Sequence, residues 1–266
     1  MRAEPAFIDA VTSRLVRPAT VTATDREDRM GIKVFEFLRR AKGTSSEEFH
    51  ADWRDVHGPM LANDPDLRRH VKRYELNHRL PHDLSGASLA DEVRDDGYDG
   101  VAVLWLDSME ELRALSAEPG MAAIRERAPR LHEQERLIVV TEDPNVIVST
   151  PNRDEAGAKM LCILRRNAAL DLDTFHDHWL NNHGGLFQNI PELRDPLLGY
   201  DQNHGLRDPN AAFDGVTEQW FESMDTFVQS LSAPAVSEQV NPDVAYMLDP
   251  ASIHFVMTGK PTVLIS

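Results

Sequence analysis

Two histidines are the strongest candidates for chemistry in this sequence. His57 and His183 each end a Phe-x-x-x-Trp-x-x-x-His pattern, and each is followed by a glycine. On a helix this spacing aligns the three rings along one face and places the imidazole at the end of the stripe. Because imidazole titrates close to neutral pH, each histidine is a candidate general acid–base. The alternative is a buried histidine that only hydrogen-bonds a backbone carbonyl.

The pattern occurs twice because the chain is an internal duplication. Positions 126 apart carry the same residue types, so that Leu38-Arg39-Arg40 aligns with Leu164-Arg165-Arg166, and Tyr74 with Tyr200. Further along, the spacing falls to 115, since the first copy carries an extra Asp-, Ser- and Gly-rich loop around Pro81 to Gly97. A repeat of this length indicates two duplicated domains rather than a solenoid of short units.

Each copy is predicted to fold as an α+β domain. The predicted elements follow the order β-α-β-β-α-β, which is the ferredoxin-like unit. Ser45-x-x-Glu48 predicts a capped helix start, and Gly58-Pro59 predicts that this helix ends or kinks there. Since the helices of such a unit cover only one face of its sheet, we expect the two antiparallel sheets to close into one barrel within the chain. The predicted divisions are an N-terminal extension with a short helix at 1–28, a first domain at 29–150 and a second at 151–266.

Other polar side chains are placed to bind a substrate. Tyr74 and His78 share one face of a predicted strand, and Asn77 lies on the other. One arginine of the Arg39-Arg40 pair is expected to point inward, where it would hold a carboxylate or enolate or, more simply, form a salt bridge with Asp99. Tyr74 has the alternative of packing in the core with its hydroxyl satisfied. The candidate substrate-binding residues are Arg39, Arg165, Trp53, Trp179, Asn77, Asn203, His78 and His204.

One glutamate distinguishes the second copy from the first. Val103 in the first copy becomes Glu218 in the second, on the same strand face as Val216 and Trp220. A carboxyl among apolar neighbours has a raised pKa and could transfer protons, so we expect the pocket nearer Glu218 to be the more polar one. The alternative role is an ion pair with an inward arginine. The candidate catalytic residues are therefore His57, His183, Tyr74, Tyr200 and Glu218.

Composition excludes several classes of protein. Lys and Arg number 28 against 44 Asp and Glu, a net charge of −16 that disfavours nucleic acid and anionic membrane surfaces as partners. The single cysteine, Cys162, excludes a disulfide framework and multi-cysteine metal sites. His176-x-His178 with His183 lacks a carboxylate at a ligand spacing, so we predict no metal site and no bound cofactor. With no apolar segment long enough for a membrane span or a signal peptide, a cytoplasmic location is expected.

Taken together, the motifs resemble EthD-type proteins of the dimeric α+β barrel superfamily. The resemblance rests on Phe49-His50-x-x-Trp53-x-x-x-His57-Gly58-Pro59, then Tyr74-x-x-Asn77-His78, then Tyr98-Asp99-Gly100, and it extends over both copies. Ordinary members are single-domain homodimers, so the resemblance implies such a dimer fused into one chain, for which further homodimerisation stays open. Haem occurs elsewhere in the superfamily, and a lone axial histidine is compatible with this sequence.

The resemblance also implies a small-molecule substrate that is mainly apolar, aromatic or lactone-like. The favoured function is a cofactor-independent lyase or isomerase that uses histidine-assisted proton transfer. A non-catalytic accessory or small-molecule-binding protein of a catabolic pathway is the first alternative. A cofactorless monooxygenase is the second. Fold alone does not decide among them.

Overall fold

In the computed structural model, residues 31–81, 97–208 and 211–266 are described. The N-terminal helix predicted within 1–28, and all but the end residues of the loop predicted at Pro81 to Gly97, lie outside these ranges. Among the described residues, no helix combines the length and the apolar character that crossing a membrane requires.

The strands of these ranges are β1 (Ile32–Leu38), β2 (Arg73–His78), β3 (Gly100–Leu106), β4 (Leu137–Glu142), β5 (Asn145–Ser149), β6 (Ala158–Leu164), β7 (Leu197–His204), β8 (Gly215–Phe221), β9 (His254–Thr258) and β10 (Thr262–Ile265).

Helices connect the strands in the order that the sequence predicts for each copy. Those of the first copy are α1 (Ser46–Asp52), α2 (Gly58–Asn63), α3 (Pro65–Arg68), α4 (Met109–Ala117) and α5 (Met121–Leu131). Those of the second copy are α6 (Leu172–Asp177), α7 (Gly184–Asn189), α8 (Pro191–Arg194), α9 (Met224–Ser230) and α10 (Asn241–Met247). Short 3₁₀ turns lie at Arg153–Glu155 and Pro250–Ser252, and π-helical turns at Trp53–His57, His178–His183 and Val236–Val240.

The strands form two five-stranded sheets, which confirms the α+β class. The first sheet has the order β10-β2-β3-β1-β4 and the second β5-β7-β8-β6-β9, and the registered pairs are antiparallel. Four neighbours in each sheet show the predicted ferredoxin-like order. Within the described ranges the hydrogen bonds make two sheets rather than one continuous closed sheet, so the single barrel expected from the sequence is not formed in that sense.

The fifth strand of each sheet comes from outside the repeat that supplies the other four. β10, at the end of the chain, pairs with β2, and β5, which follows the first copy, pairs with β7. The chain accordingly divides into two compact units. The first unit holds the described residues up to His78 with Tyr98–Ile138 and Pro261–Ser266, and the second holds Val139–Lys260 with the segment that starts at Arg79.

Side-chain caps start the first helix of each copy where the sequence predicts. The Ser45 hydroxyl accepts from the Glu48 backbone N–H, and the Glu48 carboxylate accepts from the Ser45 N–H, which completes a capping box. In the second copy the Asp171 carboxylate accepts from the Thr174 N–H at 2.7 Å. Both predicted helix starts are thereby confirmed.

Of the two outcomes predicted at Gly58-Pro59, an end or a kink of the first helix, the end is wrong. The helix passes through the π turn Trp53–His57 and continues as α2, where Gly58 and Pro59 are the first two residues. Proline is tolerated in the first turn of a helix because its missing N–H would have no intrahelical partner there. The wider π turn lets the chain continue without the bond that proline cannot donate.

A tryptophan from each π turn packs on a glycine at a strand start. A Cβ on Gly100 would overlap the Trp53 ring and lie 3.0 Å from the Asn77 carbonyl oxygen, and Gly215 meets Trp179 in the same way. The glycines therefore let the indole rings lie directly on the sheet.

Substitution of these glycines tests the close packing. We expect Gly100→Ala to lower the free energy of unfolding by about 1–3 kcal/mol, because the added methyl group must displace a buried indole. The control is Gly185→Ala in α7, where the nearest atom to the new Cβ is 3.8 Å away and alanine favours the helix by about 0.5–1 kcal/mol. Urea unfolding of both variants provides the comparison, and equal stability changes would contradict the packing.

Candidate functional site

A cavity of about 50 Å³ lies within the first unit, against the sheet face that its helices cover. Tyr74 and Leu104 are cross-strand neighbours and place β2 and β3 at its floor. Trp53 and His57 reach it from the π turn, and α5 closes it with apolar side chains. We call this space the helix-side cavity. Its apolar wall consists of Leu38, Leu61, Leu104, Met121, Ile124 and Ala128.

A buried carboxyl faces a guanidinium in this cavity. Glu36, on β1, is 8% exposed, and its Oε1 lies 3.0 Å from Nη1 of Arg136. The contact is an ion pair by distance but lacks the direction of a hydrogen bond. Burial raises the pKa of Glu36 to about 7, although Arg136 opposes that rise. Glu36 can therefore both give and accept a proton near neutral pH.

Two neutral imidazoles line the same cavity. The ring centroids of His57 and His132 lie 6.2 Å apart. Burial lowers the pKa of each to about 4, and the guanidinium of Arg136 contributes to both shifts. His132 Nδ1 lies 2.6 Å from the Glu133 carbonyl oxygen, so in the neutral ring this nitrogen donates and Nε2 is the acceptor. At neutral pH both rings accept or donate hydrogen bonds without charge.

Tyr74 completes the polar part of the helix-side cavity. Burial and the neighbouring Glu36 carboxylate raise the pKa of the Tyr74 hydroxyl, which therefore stays protonated. The hydroxyl accepts a hydrogen bond from the Trp53 indole. The predicted pair of Tyr74 and His57 is thus brought to one cavity, with Tyr74 as a neutral hydrogen-bonding group rather than a base.

The second unit repeats His57 and Tyr74 as His183 and Tyr200, but not Glu36 or His132. The backbone bridges Arg40↔His132 and Arg166↔Leu248 occupy equivalent positions, so Leu248 replaces His132. Cys162 stands 126 positions after Glu36 and therefore replaces the carboxyl. Its thiol is buried, which raises its pKa to about 12 and leaves it without thiolate character at neutral pH. The acid–base arrangement therefore belongs to the first unit.

The family of the chain follows from its motifs and from this duplicated fold. The model of the EthD domain matches residues 41–131 and 167–251, one segment in each copy and together more than half of the chain. The chain belongs to the EthD family. This confirms the resemblance drawn from the Phe-x-x-x-Trp-x-x-x-His pattern and its companions.

Solved structures with a similar fold share little sequence with this EthD protein. An anthrone oxidase-like protein is 10% identical to this chain, and the match covers 90% of this chain and 94% of the anthrone oxidase-like chain, with a TM-score of 0.57. A putative monooxygenase from Fusobacterium nucleatum is 10% identical, with coverages of 88% and 93% and a TM-score of 0.51. A chlorite dismutase from Candidatus Nitrospira defluvii, in complex with imidazole, is 12% identical, with coverages of 88% and 95% and a TM-score of 0.49. Identities this low show a shared fold only. No curated protein matches the sequence.

The histidine of the second copy has a different environment from its counterpart. His183 Nδ1 lies 2.7 Å from Asp243 Oδ2, and His178 Nε2 lies 2.6 Å from Oδ1 of the same carboxylate. Both contacts lower the pKa of Asp243. The described residues contain no group of three or more side chains arranged to hold a metal ion. His183 therefore orders the junction of its π turn with α10.

Glu218 has a lysine partner. The residue is fully buried, with Oε1 2.7 Å from Lys159 Nζ and Oε2 3.1 Å from Asn203 Nδ2. Cross-strand pairs put Glu218 opposite Leu161 and Asp201, on the sheet face away from Tyr200. The sequence expected an arginine as the alternative partner and a polar pocket nearby. The ionisable cavity is instead in the first unit and is not lined by Glu218.

The predicted arginines do not reach the helix-side cavity. Arg40 forms the expected salt bridge with Asp99, and Arg166 repeats it with Asp214. The Arg39 guanidinium lies 4.8 Å from the centre of the Tyr98 ring. Arg165 is exposed at an open surface cavity of the second unit. The arginines that line the cavity are Arg125 and Arg136, and the sequence pointed to neither of them.

The remaining predicted side chains make the following contacts within the fold. Asn77 Nδ2 donates to the Val101 carbonyl at 3.2 Å, and Asn203 Nδ2 donates to the equivalent carbonyl, that of Val216, at 2.9 Å. His204 stacks on Trp179, with ring centroids 4.5 Å apart and planes 8° apart. His78 contacts the ring of Trp53 edge-on at 5.1 Å, and the Tyr200 hydroxyl accepts from Gln202 at 3.1 Å.

Sequence reasoning missed Glu36, His132 and Arg136. The signal for Glu36 was present, since it interrupts the apolar strand Ile32–Leu38 just as Glu218 interrupts β8. His132 and Arg136 lie between α5 and β4, in a segment with no recognisable motif. Only the pairing of β1 with the chain that follows α5 brings the three together.

The different environments of His57 and His183 predict different effects of their substitution on stability. His183→Gln should lower the free energy of unfolding by about 1–3 kcal/mol, because Asp243 loses a hydrogen-bond donor. His178→Gln should cost a similar amount, since it removes the other donor to the same carboxylate. His57→Gln should cost less, because His57 Nδ1 has no hydrogen-bond partner. Chemical unfolding of the three variants measures the order, and a larger loss in His57→Gln would contradict it.

The raised pKa of Glu36 predicts a dependence of stability on pH. Folding moves this pKa from 4.5 to about 7, so the folded state holds the proton more tightly. The stabilisation is complete below pH 4.5 and disappears as the pH rises through 7, a difference of about 3 kcal/mol. Glu36→Gln removes this titration. The stability of the variant relative to the natural protein should therefore increase by about that amount between pH 4 and pH 8, and a difference that does not change with pH would refute the assignment.

Proposed function

We propose that this EthD protein is a proton-transfer enzyme whose active site is the helix-side cavity of the first unit. The observation that carries the proposal is the buried carboxyl of Glu36, with a pKa of about 7, beside the guanidinium of Arg136. A general acid–base is most effective when its pKa is close to the working pH. Perturbed carboxyls of this kind cluster at functional sites.

Each group in the cavity has a defined task in such a step. Glu36 uses both of its forms: the carboxyl donates a proton to one atom of the substrate, and the resulting carboxylate removes a proton from another. Arg136 and the neutral rings of His57 and His132 donate to or accept from the substrate oxygen on which charge develops. Burial lowers the pKa of His57 to about 4, so the ring is uncharged at neutral pH and is a weak base, and its role is to orient the substrate. The step is common to isomerisation and to elimination, which are the reactions predicted from the sequence.

The size of the cavity limits the substrate. Its volume is about 50 Å³, whereas an apolar cavity that admits benzene measures about 150 Å³. A small aliphatic acid or carbonyl compound suits this volume better than the aromatic or lactone-like substrate that the family resemblance implied. A larger ring requires the side chains of Met121 and Ile124 on α5 to move aside. A porphyrin exceeds this space.

Some features predicted from the sequence remain predictions. They are the domain boundaries, further homodimerisation and a cytoplasmic location. The non-catalytic binding protein is the competing function. It predicts that a small molecule occupies the helix-side cavity without exchange of its protons.

Hydrogen–deuterium exchange measures proton transfer before the natural substrate is known. Small ketones and keto acids are incubated with the protein in deuterium oxide, and the loss of their α-protons is followed by NMR. Exchange by the natural protein should fall by about 10²–10⁴-fold in Glu36→Gln, because the base is removed. The matched control is Cys162→Ser, which alters the equivalent position of the second unit and should leave exchange unchanged.

The outcomes separate the two candidate functions. Exchange that depends on Glu36 and survives Cys162→Ser supports the proposed enzyme. Equal exchange by the natural protein and by folded Glu36→Gln would overturn it. Saturable binding of these compounds with no exchange in any protein would support the binding protein instead.

A further inference from the structure

The helix-side cavity is positively charged inside a protein of strongly negative net charge. The chain carries −16 overall, yet Arg125 and Arg136 line this one cavity. Arg127, on the same helix as Arg125, also lowers the pKa of His57 through its charge. The carboxyl of Glu36 offsets little of this charge while it is protonated. A local field of this sign favours an anionic ligand.

A buried nitrogen in the cavity has no protein partner. His57 is 9% exposed and lines the cavity, and its Nδ1 makes no hydrogen bond. A buried polar atom without a partner costs about 1–3 kcal/mol, so such atoms in folded proteins call for an explanation. A ligand oxygen in the cavity would supply the missing hydrogen bond.

We infer that the ligand of the helix-side cavity is a small carboxylate, which binds Arg136 and His57 and drives the Glu36 carboxyl into its protonated form. The inference rests on the proposed function and names the substrate class of that site. Arginine presents a planar fork of donors that matches the two oxygens of a carboxylate. Oε1 of Glu36 lies 3.0 Å from Nη1 of Arg136 without forming a hydrogen bond, so a ligand carboxylate can compete with this oxygen for the guanidinium.

Binding of an anion at this position is coupled to uptake of a proton. The charge of Arg136 holds the pKa of Glu36 below the value that burial alone would produce. A ligand carboxylate on Arg136 screens that charge and adds a negative charge nearby, so both effects favour protonated Glu36. The complex then contains one anion and one guanidinium, with a neutral carboxyl between them.

The other groups around Glu36 do not titrate in the same pH range. Tyr74, from β2, stays protonated because its pKa is raised. His57, from the π turn, and His132, after α5, have pKa values of about 4. The guanidiniums of Arg125 and Arg136 keep their charge throughout. Between pH 6 and pH 8, Glu36 is therefore the group in this cavity that changes its charge.

Calorimetric titration with sodium acetate tests the inference on the full chain. Acetate should bind one site per chain, because Cys162 and Leu248 replace Glu36 and His132 in the second unit. Its affinity should be about tenfold higher at pH 6 than at pH 8, as expected for the uptake of one proton by a group of pKa near 7. Titrations at pH 7 in buffers of different ionisation enthalpy should show net proton uptake. Acetamide, which has the same shape without the charge, should bind at least tenfold more weakly.

Three variants assign the coupling to residues. Arg136→Gln should abolish acetate binding, and Arg136→Lys should retain part of it because the charge remains. Glu36→Gln should bind acetate with an affinity that no longer depends on pH. The control is Arg130→Gln, which removes an exposed charge from the same helix as Arg125 and should bind as the natural protein does. Circular dichroism identifies any variant that fails to fold.

Each outcome either supports or overturns the carboxylate. Equal binding of acetate and acetamide, no binding of acetate up to high millimolar concentration, or pH dependence that persists in Glu36→Gln would overturn it. These three measurements use only the natural protein and Glu36→Gln, so they can be made even if the Arg136 variants do not fold. They also leave the proposed function standing, since loss of deuterium exchange in Glu36→Gln is a separate measurement. Conversely, pH-dependent acetate binding without any exchange would confirm the ligand class and refute the enzyme.

Discussion

Each unit depends on the contact between a tryptophan ring and the glycine that begins a strand. Trp53 lies on Gly100, and Trp179 lies on Gly215, at a distance that no side chain with a Cβ would permit. This contact sets how closely the first helix of a copy approaches its sheet. The π turn suits this contact, because it directs the tryptophan towards the sheet and the histidine at its end towards the space beside the tryptophan. In the first unit that space is the helix-side cavity.

Equivalent scaffolds thus carry different chemistry. In the first unit, the covered sheet face contains an ionisable carboxyl, and burial of this group against Arg136 shifts its pKa to about 7. In the second unit, the same position is a buried thiol, and the histidine of the π turn is held by Asp243. Duplication allows one copy to lose this carboxyl while the other keeps it. A buried ionisable group costs stability, and perturbed groups that are kept cluster at functional sites.

Much of the local structure could be predicted because short-range interactions decide it. The capping box of Ser45 and Glu48 involves atoms three residues apart, and the alternation of strand residues correctly placed Tyr74 and His78 on one face. At Pro59 the sequence left an end and a kink of the helix open, because the two outcomes differ by only a few backbone hydrogen bonds. Glu36 was missed because a lone glutamate in an apolar strand has the same sequence signature whether it faces a lysine, an arginine or a cavity.

The sequence by itself determined the duplication, the family, the α+β class and the residue types available for chemistry. Those features depend on repeated spacing and on local propensity, both of which can be seen without coordinates. Only the tertiary structure decided that β5 and β10 join sheets outside their own repeats, and that Glu36, His57 and Arg136 meet in one cavity. Contacts between residues so far apart along the chain depend on strand register and on helix placement. The pKa values at the site depend in turn on the burial that those contacts create.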